Sequence, residues 1–502
     1  MRLLYLVRSL GYLLRILSVA MFAGCLVPLI DRDYSDILPY LTASVACLLC
    51  GFFFLFVSRR IKTLDDIRKV ESLSVVALIW IVYGFFCAVP FLFYGFTFTD
   101  AVFESISGLT TTGASVIVDY DAYPKSVYFW RAYMHWLGGI GIVVLFVGVL
   151  PQFSVAGRQL FFAETTGPTE EKLTPRIRQT ATLLFSVYGL LTAVELFLLL
   201  VSGMPLFDAV CISFSTMGTG GFATYPDGLN AYRSVPVIWI ATVFMFLAGS
   251  NLSLLYCLFF TKKRRWDIFK NSEFRLYVTV TLVLSVGLLL SLLFHQKAMS
   301  FKDASANAFF HIVTLMTTTG FSYADFELWD ATSKMFLLLA MLTGGCAGST
   351  AGGIKFVRIL FLFKLIAREL KQMIHPNAVI PIKVNGKPLP DQVARQLASF
   401  ILLYFLFYLF SAVIVTAVEG DMTVGFTGSL VTLGNIGPGF GEIGPYGSYA
   451  DLLLPTKILF IFNMLMGRLE LIPFMILIYP EFWLRSSKVS WIRYLKRNGS
   501  ET

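Results

Sequence analysis

Four glycines in the 502-residue chain recur with similar sequences before them. They are Gly113, Gly221, Gly320 and Gly437, which lie 108, 99 and 117 residues apart. Glycine adopts backbone conformations that let successive carbonyl groups point to one side. Rings of such carbonyls can replace the hydration shell of a monovalent cation. The repeated segments therefore predict a cation site built from main-chain oxygens.

The segments before these glycines are mildly apolar and too short to cross a bilayer, which needs about 20 residues. They cover residues 100–113, 208–221, 307–320 and 424–437. Non-helical backbone at membrane depth is tolerated only where it is buried in protein or lines a water-filled cavity. One Thr-Thr-Thr-Gly sequence could be an ordinary surface turn. Four aligned copies favour four re-entrant pore loops.

Long apolar runs surround these segments, and the composition is that of a membrane protein. Apolar types make up 57% and charged types 14% of the chain, against about 45–50% and about 25% in soluble domains. A disordered chain is excluded and a soluble enzyme is disfavoured. Ten runs are long enough to span a bilayer, at about 10–30, 37–58, 73–95, 128–150, 182–203, 235–260, 275–295, 334–361, 397–418 and 455–480.

The span after each segment also repeats a glycine landmark, which ends at Gly139, Gly249, Gly344 and Gly467. We therefore expect an all-α polytopic membrane protein with four helix–pore helix–filter loop–helix repeats around a pseudo-fourfold axis. Two further transmembrane helices precede the repeats. The expected divisions are 1–70 for those two helices, then repeats at 71–180, 181–272, 273–392 and 393–502, with the cytoplasmic tail in the last.

Basic residues predict the orientation of the spans. Of the 40 lysines and arginines, 28 lie at the two ends and in alternate loops. The positive-inside rule places those loops and both termini in the cytoplasm. The net charge of +9 is thereby explained without a nucleic-acid partner. The N-terminus resembles a signal peptide near Cys25, but its apolar run continues to Ile30, so we expect a retained helix.

Residues suited to metal or redox chemistry form no recognisable site. Cys47 and Cys50 have the spacing of half a zinc or redox motif, but no second pair accompanies them, so we expect helix packing. The four histidines are scattered. We expect no enzyme activity and no cofactor in this chain.

The chain resembles the Trk/Ktr/HKT superfamily of potassium transporters over residues 73–480, and its two extra N-terminal spans look like the TrkH branch. Besides the four glycines, the similar motifs are His135-Trp-Leu-Gly-Gly-Ile-Gly141, Gly218-Thr-Gly-Gly-Phe222 and Gly344-Gly-Cys-Ala-Gly-Ser-Thr-Ala-Gly-Gly-Ile-Lys355. Sodium-preferring members often have serine in place of Gly113, so glycine favours potassium. The fourth loop, Gly434-Asn-Ile-Gly-Pro438, departs from the other three.

The resemblance implies potassium uptake across a bacterial inner membrane through a selective, channel-like pore. The implied filter residues are Thr111, Thr112, Gly113, Gly220, Gly221, Thr318, Thr319, Gly320, Asn435, Ile436 and Gly437. Potassium would be the only bound metal, held by these residues alone. The alternative is an H⁺- or Na⁺-coupled secondary transporter of potassium or another small solute, since such folds also use repeats and broken helices.

A gate is expected where glycine interrupts the span 334–361. Five of the eleven residues of 343–353 are glycine, and each costs roughly 1 kcal/mol in a helix relative to alanine. The alternative is close helix packing of small residues. In the resembling family an intramembrane loop at this place obstructs the pore. The implied gate residues are Gly344, Gly345, Gly348, Gly352, Gly353 and Arg468.

Arg468 follows the glycine landmark of the fourth repeat. A cation at this depth costs several kcal/mol unless it faces water or a partner. It could form an ion pair with Glu470 or Glu195, or project into the pore as it does in the resembling family. We expect Glu195 to be a satisfied buried carboxylate. For Arg131 and His135 we expect packing with outer acids rather than a proton relay.

The segments 362–396 and 151–181 are long, while helix connections commonly run roughly 2–8 residues. The resemblance implies a homodimer that docks a cytosolic, nucleotide-binding regulatory ring of the TrkA type on this face. Any nucleotide would bind that partner. The alternative is that these segments are basic only because of membrane topology.

Overall fold

The computed structural model describes residues 3–59, 69–148, 173–261, 265–296, 299–471 and 474–475. It confirms the predicted all-α architecture. The chain divides into two compact units, one of Met1–Phe96 with Leu469–Thr502 and the other of Thr97–Arg468. The helix Lys69–Phe93, which opens the first repeat in sequence, belongs to the first unit.

The first unit contains α1 (Leu3–Met21), α2 (Leu26–Asp31), α3 (Ile37–Val57) and α4 (Lys69–Phe93), with 3₁₀ turns at Phe22–Cys25 and Tyr34–Asp36. Glycines let α1 and α3 approach closely, since a Cβ on Gly11 would lie 3.0 Å from the carbonyl oxygen of Gly51. The Cys47 thiol donates to the carbonyl of Leu14 at 3.4 Å. This cysteine therefore contributes to helix packing, as its surroundings predicted.

The second unit repeats one arrangement of pore helix, loop and inner helix. Its pore helices are α5 (Phe98–Leu109), α8 (Leu206–Gly218), α13 (Phe301–Met316) and a π-helical turn (Val424–Gly428) that continues into α17 (Ser429–Gly434). Its outer helices are α7 (Leu173–Val201), α12 (Ser272–His295) and α16 (Asp391–Glu419). Its inner helices are α6 (Lys125–Gly148), α9 (Val235–Ala248), α10 (Leu252–Phe260), α14 (Ala331–Met341), α15 (Phe356–Ile374) and α18 (Leu454–Arg468).

Smaller elements complete this unit. They are α11 (Asp267–Lys270), 3₁₀ turns at Gly228–Tyr232, Phe326–Leu328 and Gly441–Ile443, and an antiparallel hairpin of β1 (Lys383–Val384) and β2 (Lys387–Pro388).

The pore helices are short, and the first and third begin at side-chain caps. The first three have 12, 13 and 16 residues, so none reaches the length of about 20 that a span requires. The Thr97 hydroxyl accepts a hydrogen bond from the Asp100 N–H, and the Ser300 hydroxyl accepts one from the Asp303 N–H. Such caps satisfy N–H groups at a helix start. The prediction of four re-entrant segments is confirmed.

The inner helices of the last three repeats are interrupted. The sequence predicted one continuous span over 235–260, and the structure divides it into α9 and α10, which meet at an angle of 107°. The Asn251 side chain accepts hydrogen bonds from the N–H groups of Ser253 and Leu254 and so starts a new helix. The predicted break in 334–361 is present between Met341 and Phe356.

The fourth inner helix is shorter than the predicted span 455–480, because α18 ends at Arg468 and both Glu470 and Leu471 have positive φ. Within the described residues six helices are long and apolar enough to cross a membrane, or seven if α9 and α10 count as one span. The other predicted runs contain these breaks or extend beyond the described residues. The chain is a multi-pass membrane protein.

Candidate functional site

The four filter loops share one backbone conformation. Their first residues have left-handed φ values of 53°, 56°, 56° and 56° at Thr111, Thr219, Thr318 and Asn435. Their glycines have φ values of 81°, 82°, 81° and 100° at Gly113, Gly221, Gly320 and Gly437. The residue between them has negative φ in every loop. This alternation turns successive peptide planes so that their carbonyls face the same side.

Hydrogen bonds to the pore helices fix the direction of these peptides. The middle N–H of each loop donates to a pore-helix carbonyl five residues earlier. These bonds are Thr112 to Ser107 at 2.9 Å, Gly220 to Ser215 at 2.9 Å, Thr319 to Thr314 at 2.8 Å and Ile436 to Val431 at 2.8 Å. Since a peptide N–H and the carbonyl of the same peptide point in opposite directions, the carbonyls face away from the pore helices.

The loops close into a ring, and each filter glycine lies against the next loop. A Cβ added to a glycine would collide with a neighbouring carbonyl oxygen, namely Gly113 with Gly220 at 2.0 Å, Gly221 with Thr319 at 2.1 Å, Gly320 with Ile436 at 1.8 Å and Gly437 with Thr112 at 2.7 Å. The order of contacts is first to second, second to third, third to fourth and fourth to first. The four repeats therefore surround one axis.

All eleven residues that were predicted to form the filter lie in these loops, but one equivalent residue was missed. Thr219 has the place in the second loop that Thr111 has in the first. The signal was present, because the alignment that pairs Gly113 with Gly221 also pairs these two threonines. The divergent fourth loop keeps the shared backbone, and its Asn435 side chain donates to the Thr112 hydroxyl at 3.0 Å.

A cavity of about 130 Å³ opens on the ring and is lined by all four filter glycines. Arg131 lines it too, although this side chain is only 1% exposed. Tyr446 lies in the loop at the same mouth. Burial, with the nearby carboxylates of Asp227 and Asp325, raises the pKa of Tyr446 to about 12, so its phenol is neutral at ordinary pH.

Arg131 is paired with an acid that sequence reasoning did not single out. Its Nε lies 2.6 Å from Oε1 of Glu104, which is fully buried in the first pore helix. The second carboxylate oxygen accepts from the N–H of Val116 at 2.9 Å. The guanidinium also lies 3.9 Å from the ring centroid of Phe222. The expectation that Arg131 packs with an outer acid is therefore confirmed, since Glu104 lies in the segment 100–113, and this pairing gives the buried cation the partner that it needs.

The glycine-rich loop between α14 and α15 lies directly against the filter loops. The Gly352 N–H donates to the Thr318 hydroxyl at 2.7 Å. The Thr350 hydroxyl donates to the carbonyl of Met217 at 3.1 Å. The Cys346 N–H donates to the carbonyl of Gly249 at the break between α9 and α10, at 2.8 Å. The loop of the third repeat thus contacts the filter region of the second and third repeats.

Arg468 connects this loop to the first repeat. Its Nη1 donates to the carbonyl of Thr350 at 2.6 Å, and its Nη2 donates to the carbonyl of Gly138 at 3.2 Å. The side chain is 2% exposed. The structure therefore brings together all six residues that were predicted to form the gate, and Arg468 binds neutral carbonyl oxygens of the third and first repeats.

Glu273 is a second residue that the sequence did not identify. It lies near the start of α12 and is 4% exposed. Its Oε1 accepts from the Ala347 N–H at 2.6 Å and from the Val357 N–H at 3.0 Å. One carboxylate oxygen therefore joins the glycine-rich loop to the first turn of α15. Nothing in the local sequence around Glu273 indicates these contacts, which arise only from folding.

Glu195 is fully buried in α7 beside Thr216, whose hydroxyl donates to the carbonyl of Ile212. Among the described residues, no basic side chain lies within ion-pair distance of Glu195. The expectation of a satisfied buried carboxylate is therefore not met by the described residues, and the alternative of an ion pair between Glu195 and Arg468 is wrong.

The segment 362–396 packs within the second unit. The hairpin of β1 and β2 contributes Ile382 to a buried cluster with Phe361 and Val393. At its tip the Asn385 side chain accepts from the N–H and hydroxyl of Ser272, at 2.8 and 2.7 Å. The hairpin therefore contacts the residue next to Glu273. Most of the other long segment, 151–181, lies outside the described residues.

Known proteins share both the sequence and this architecture. A sequence model of the TrkH family, described as "Cation transport protein", matches residues 57–484. The Trk system potassium uptake protein TrkH of Vibrio parahaemolyticus is 37% identical over 486 residues, which cover 95% of this chain and 99% of that protein. TrkG of Escherichia coli K12 is 31% identical over 482 residues, which cover 94% and 97%.

A solved structure is also similar. The crystal structure of the potassium transporter TrkH from Vibrio parahaemolyticus superposes with a TM-score of 0.87 and 35% identity, and the match covers 96% of this chain and all of that one.

The buried pair of Arg131 and Glu104 generates a stability prediction. Glu104→Gln should lower the free energy of unfolding by about 3–5 kcal/mol, because it leaves the buried guanidinium without a counter-charge. Adding Arg131→Met should recover most of that loss, since no unpaired charge then remains. Denaturant unfolding of the purified protein in detergent measures both effects.

Lys334→Met is the matched control, because its ion pair with Glu327 has the same 2.6 Å distance but is partly exposed. Its cost should stay below about 1 kcal/mol. If the double variant Glu104→Gln with Arg131→Met is as unstable as Glu104→Gln alone, the unpaired charge of Arg131 is not the cause of the lost stability.

Proposed function

The chain belongs to the TrkH family of cation transport proteins, and we propose that it takes up potassium across the bacterial inner membrane. The family match confirms that it is a transport protein rather than an enzyme. Relatives named Trk system potassium uptake protein align with it over nearly their whole length. The proposed route is a selective pore through the ring of filter loops, with both termini of the chain in the cytoplasm.

One observation carries the proposal, namely the cyclic contact of the four filter loops. Each loop turns its carbonyls away from its pore helix, and each glycine abuts the next loop, so the carbonyls converge on a shared axis. Carbonyl rings of this kind replace the hydration shell of a monovalent cation, and they do so without charged side chains. The pairing of Arg131 with Glu104 supports cation entry, because the buried charge beside the mouth is balanced.

The alternative is transport of potassium or another solute coupled to H⁺ or Na⁺. Glu195 is the feature that favours it, because it is a buried acid with no basic partner among the described residues, and such an acid can carry a proton. Through a passive pore, potassium reaches equilibrium when its concentration ratio across the membrane balances the membrane potential. Coupled transport concentrates potassium beyond that limit when a pH or sodium gradient is imposed.

Flux of ⁸⁶Rb⁺ into proteoliposomes tests the proposal, with Na⁺ and Li⁺ as competitors. Wild-type protein should take up the tracer, and K⁺ should compete at least about tenfold better than Na⁺, which corresponds to roughly 1.4 kcal/mol. Gly113→Ser should reduce this preference, because its Cβ would lie 2.0 Å from the carbonyl oxygen of Gly220. Bi-ionic reversal potentials measure the preference directly.

Gly203→Ser is the matched control for backbone strain. Gly203 also has a positive φ, but a Cβ there meets no atom within 4 Å. Its reversal potential should equal that of wild type. If Gly113→Ser also leaves the reversal potential unchanged, the ring does not select the ion.

We further propose that the glycine-rich loop and Arg468 gate the pore. Support comes from their hydrogen bonds, which link the loop to Met217, Thr318 and Gly138 in the other repeats or at the filter. Arg468 keeps its full charge against a passing cation, because its partners are neutral carbonyls. Glu273 would hold the closed form by accepting from both Ala347 and Val357.

Three changes should therefore raise basal ⁸⁶Rb⁺ flux while potassium preference is kept. They are Arg468→Ala, deletion of several residues within 345–352, and Glu273→Gln, which weakens two hydrogen bonds to a charged acceptor that are worth about 1.5–3 kcal/mol each. Glu273→Asp, which keeps the charge on a shorter side chain, should give an intermediate flux. If all these variants fold and leak no more than wild type, the gate lies elsewhere.

For partners, we propose a homodimer that binds a cytosolic, nucleotide-binding ring. The relatives' names describe a Trk system, which supports more than one component. The surface proposed for docking is the basic face of α15 with Lys364, Arg368 and Lys371. The hairpin follows α15 and contacts Ser272, which is next to Glu273. A movement of α15 and the hairpin would therefore be transmitted to the proposed gate. A ligand biases the gate only if its affinity differs between the two states.

Charge reversal of Lys364, Arg368 and Lys371 to glutamate should weaken co-purification of the ring and remove nucleotide-dependent flux. Lys371→Glu alone is the cleanest surface change, because Lys364 donates to the Lys383 carbonyl and Arg368 pairs with Glu369. Lys302→Glu, an exposed change at the opposite side, is the control. Survival of both complex and nucleotide response in the triple variant would overturn this docking surface.

A further inference from the structure

The second filter loop is the one loop without a side chain at its middle position. The first, third and fourth loops have Thr112, Thr319 and Ile436 there, while the second has Gly220. Gly220 keeps a negative φ, so its backbone conformation does not require glycine. The reason for a glycine at this place must therefore lie in its surroundings.

The ring of His135 occupies the space that a side chain at position 220 would need. A Cβ added to Gly220 would lie 2.2 Å from Nδ1, 2.3 Å from Cγ and 2.5 Å from Cδ2 of that ring. His135 is fully buried. We propose that His135 is a positioning residue that replaces the missing filter side chain, holds the second loop in the ring and thereby sets the ion preference.

Three more contacts bind His135 to the second repeat, although its chain position is in the first. Its ring stacks on Phe222, with centroids 4.3 Å apart and planes at 19°. Its Nδ1 lies 3.3 Å from the Ser215 hydroxyl, and the Ser215 carbonyl accepts from the Gly220 N–H. A Cβ on Gly218 would lie 2.5 Å from the His135 carbonyl oxygen. His135 thus contacts residues before, within and after the second loop, namely Gly218, Gly220 and Phe222.

The other repeats show a matching balance of side-chain size. At the place of His135, two residues before the leucine of the glycine landmark, they have Met245, Ala340 and Asn463. In the order of the repeats, the small Ala340 belongs to the third repeat and the fourth loop has the large Ile436. The large His135 belongs to the first repeat and the second loop has Gly220. Because protein interiors are close-packed, a ring of unlike loops keeps its shape only if volume is complementary in this way.

The inference deepens the proposed function, since it assumes that the filter loops select the ion. Its test is an exchange of volume between positions 135 and 220. His135→Ala leaves a cavity behind the loop, and Gly220→Thr inserts a side chain into the histidine ring. Each single variant should lower the K⁺/Na⁺ permeability ratio by about tenfold or more. The double variant should return the ratio to within about threefold of wild type, because threonine is the residue of the first and third loops.

His135→Phe separates shape from hydrogen bonding, because it keeps a ring but cannot bond to Ser215. It should keep most of the preference. His311→Ala is the matched control, since His311 is also fully buried, in the third pore helix, and bonds to the Asn307 carbonyl. It should lower the melting temperature of the purified protein and leave the permeability ratio unchanged.

The inference is overturned if His135→Ala lowers the melting temperature as His311→Ala does without changing the ratio, or if the double variant is no better than the worse single one. If His135→Ala is not recovered from the membrane, Gly220→Ala with and without His135→Asn makes the same comparison. A wild-type protein without selective potassium flux would instead contradict the proposed function itself.

Discussion

The rest of the structure depends on the contact between each filter glycine and the carbonyl of the next loop. Because a Cβ has no room there, each loop fixes the position of its neighbour, and the ring closes only with all four repeats present. The pore helices serve this contact because their carbonyls accept hydrogen bonds from N–H groups on one face of each loop. At this depth backbone groups without partners are costly, so carbonyls that face the axis call for a ligand or water.

The four repeats share a backbone, but their side chains have diverged, and the divergence is compensated pairwise. Asn435 in the fourth loop bonds to Thr112 in the first, and the ring of His135 fills the space beside Gly220. Arg131 beside the mouth is balanced by Glu104. These pairs join neighbouring repeats or lie within one repeat. A change in one loop is therefore compensated by a residue that contacts that loop.

The third repeat differs most, because its inner helix opens into a glycine-rich loop instead of continuing. Several polar groups of this loop are held by another repeat, by Arg468 or by Glu273. Such bonds are exchangeable, because carbonyls and N–H groups of a loop can be satisfied by water once it moves. Glu273, which accepts a hydrogen bond from this loop, is next to Ser272, which the hairpin contacts, so the loop is joined to the segment 362–396.

The sequence by itself determined the membrane class, the four repeats, the re-entrant segments and the break near Gly348, because hydrophobic length, glycine content and internal alignment are local properties. It did not determine the bend at Gly249, the partner of Arg131, the surroundings of Glu195 or the contacts of Glu273. Those depend on which side chains of distant segments meet in the folded chain. Glu104 acts as a counter-charge only through a tertiary contact, since no distinctive sequence pattern surrounds it.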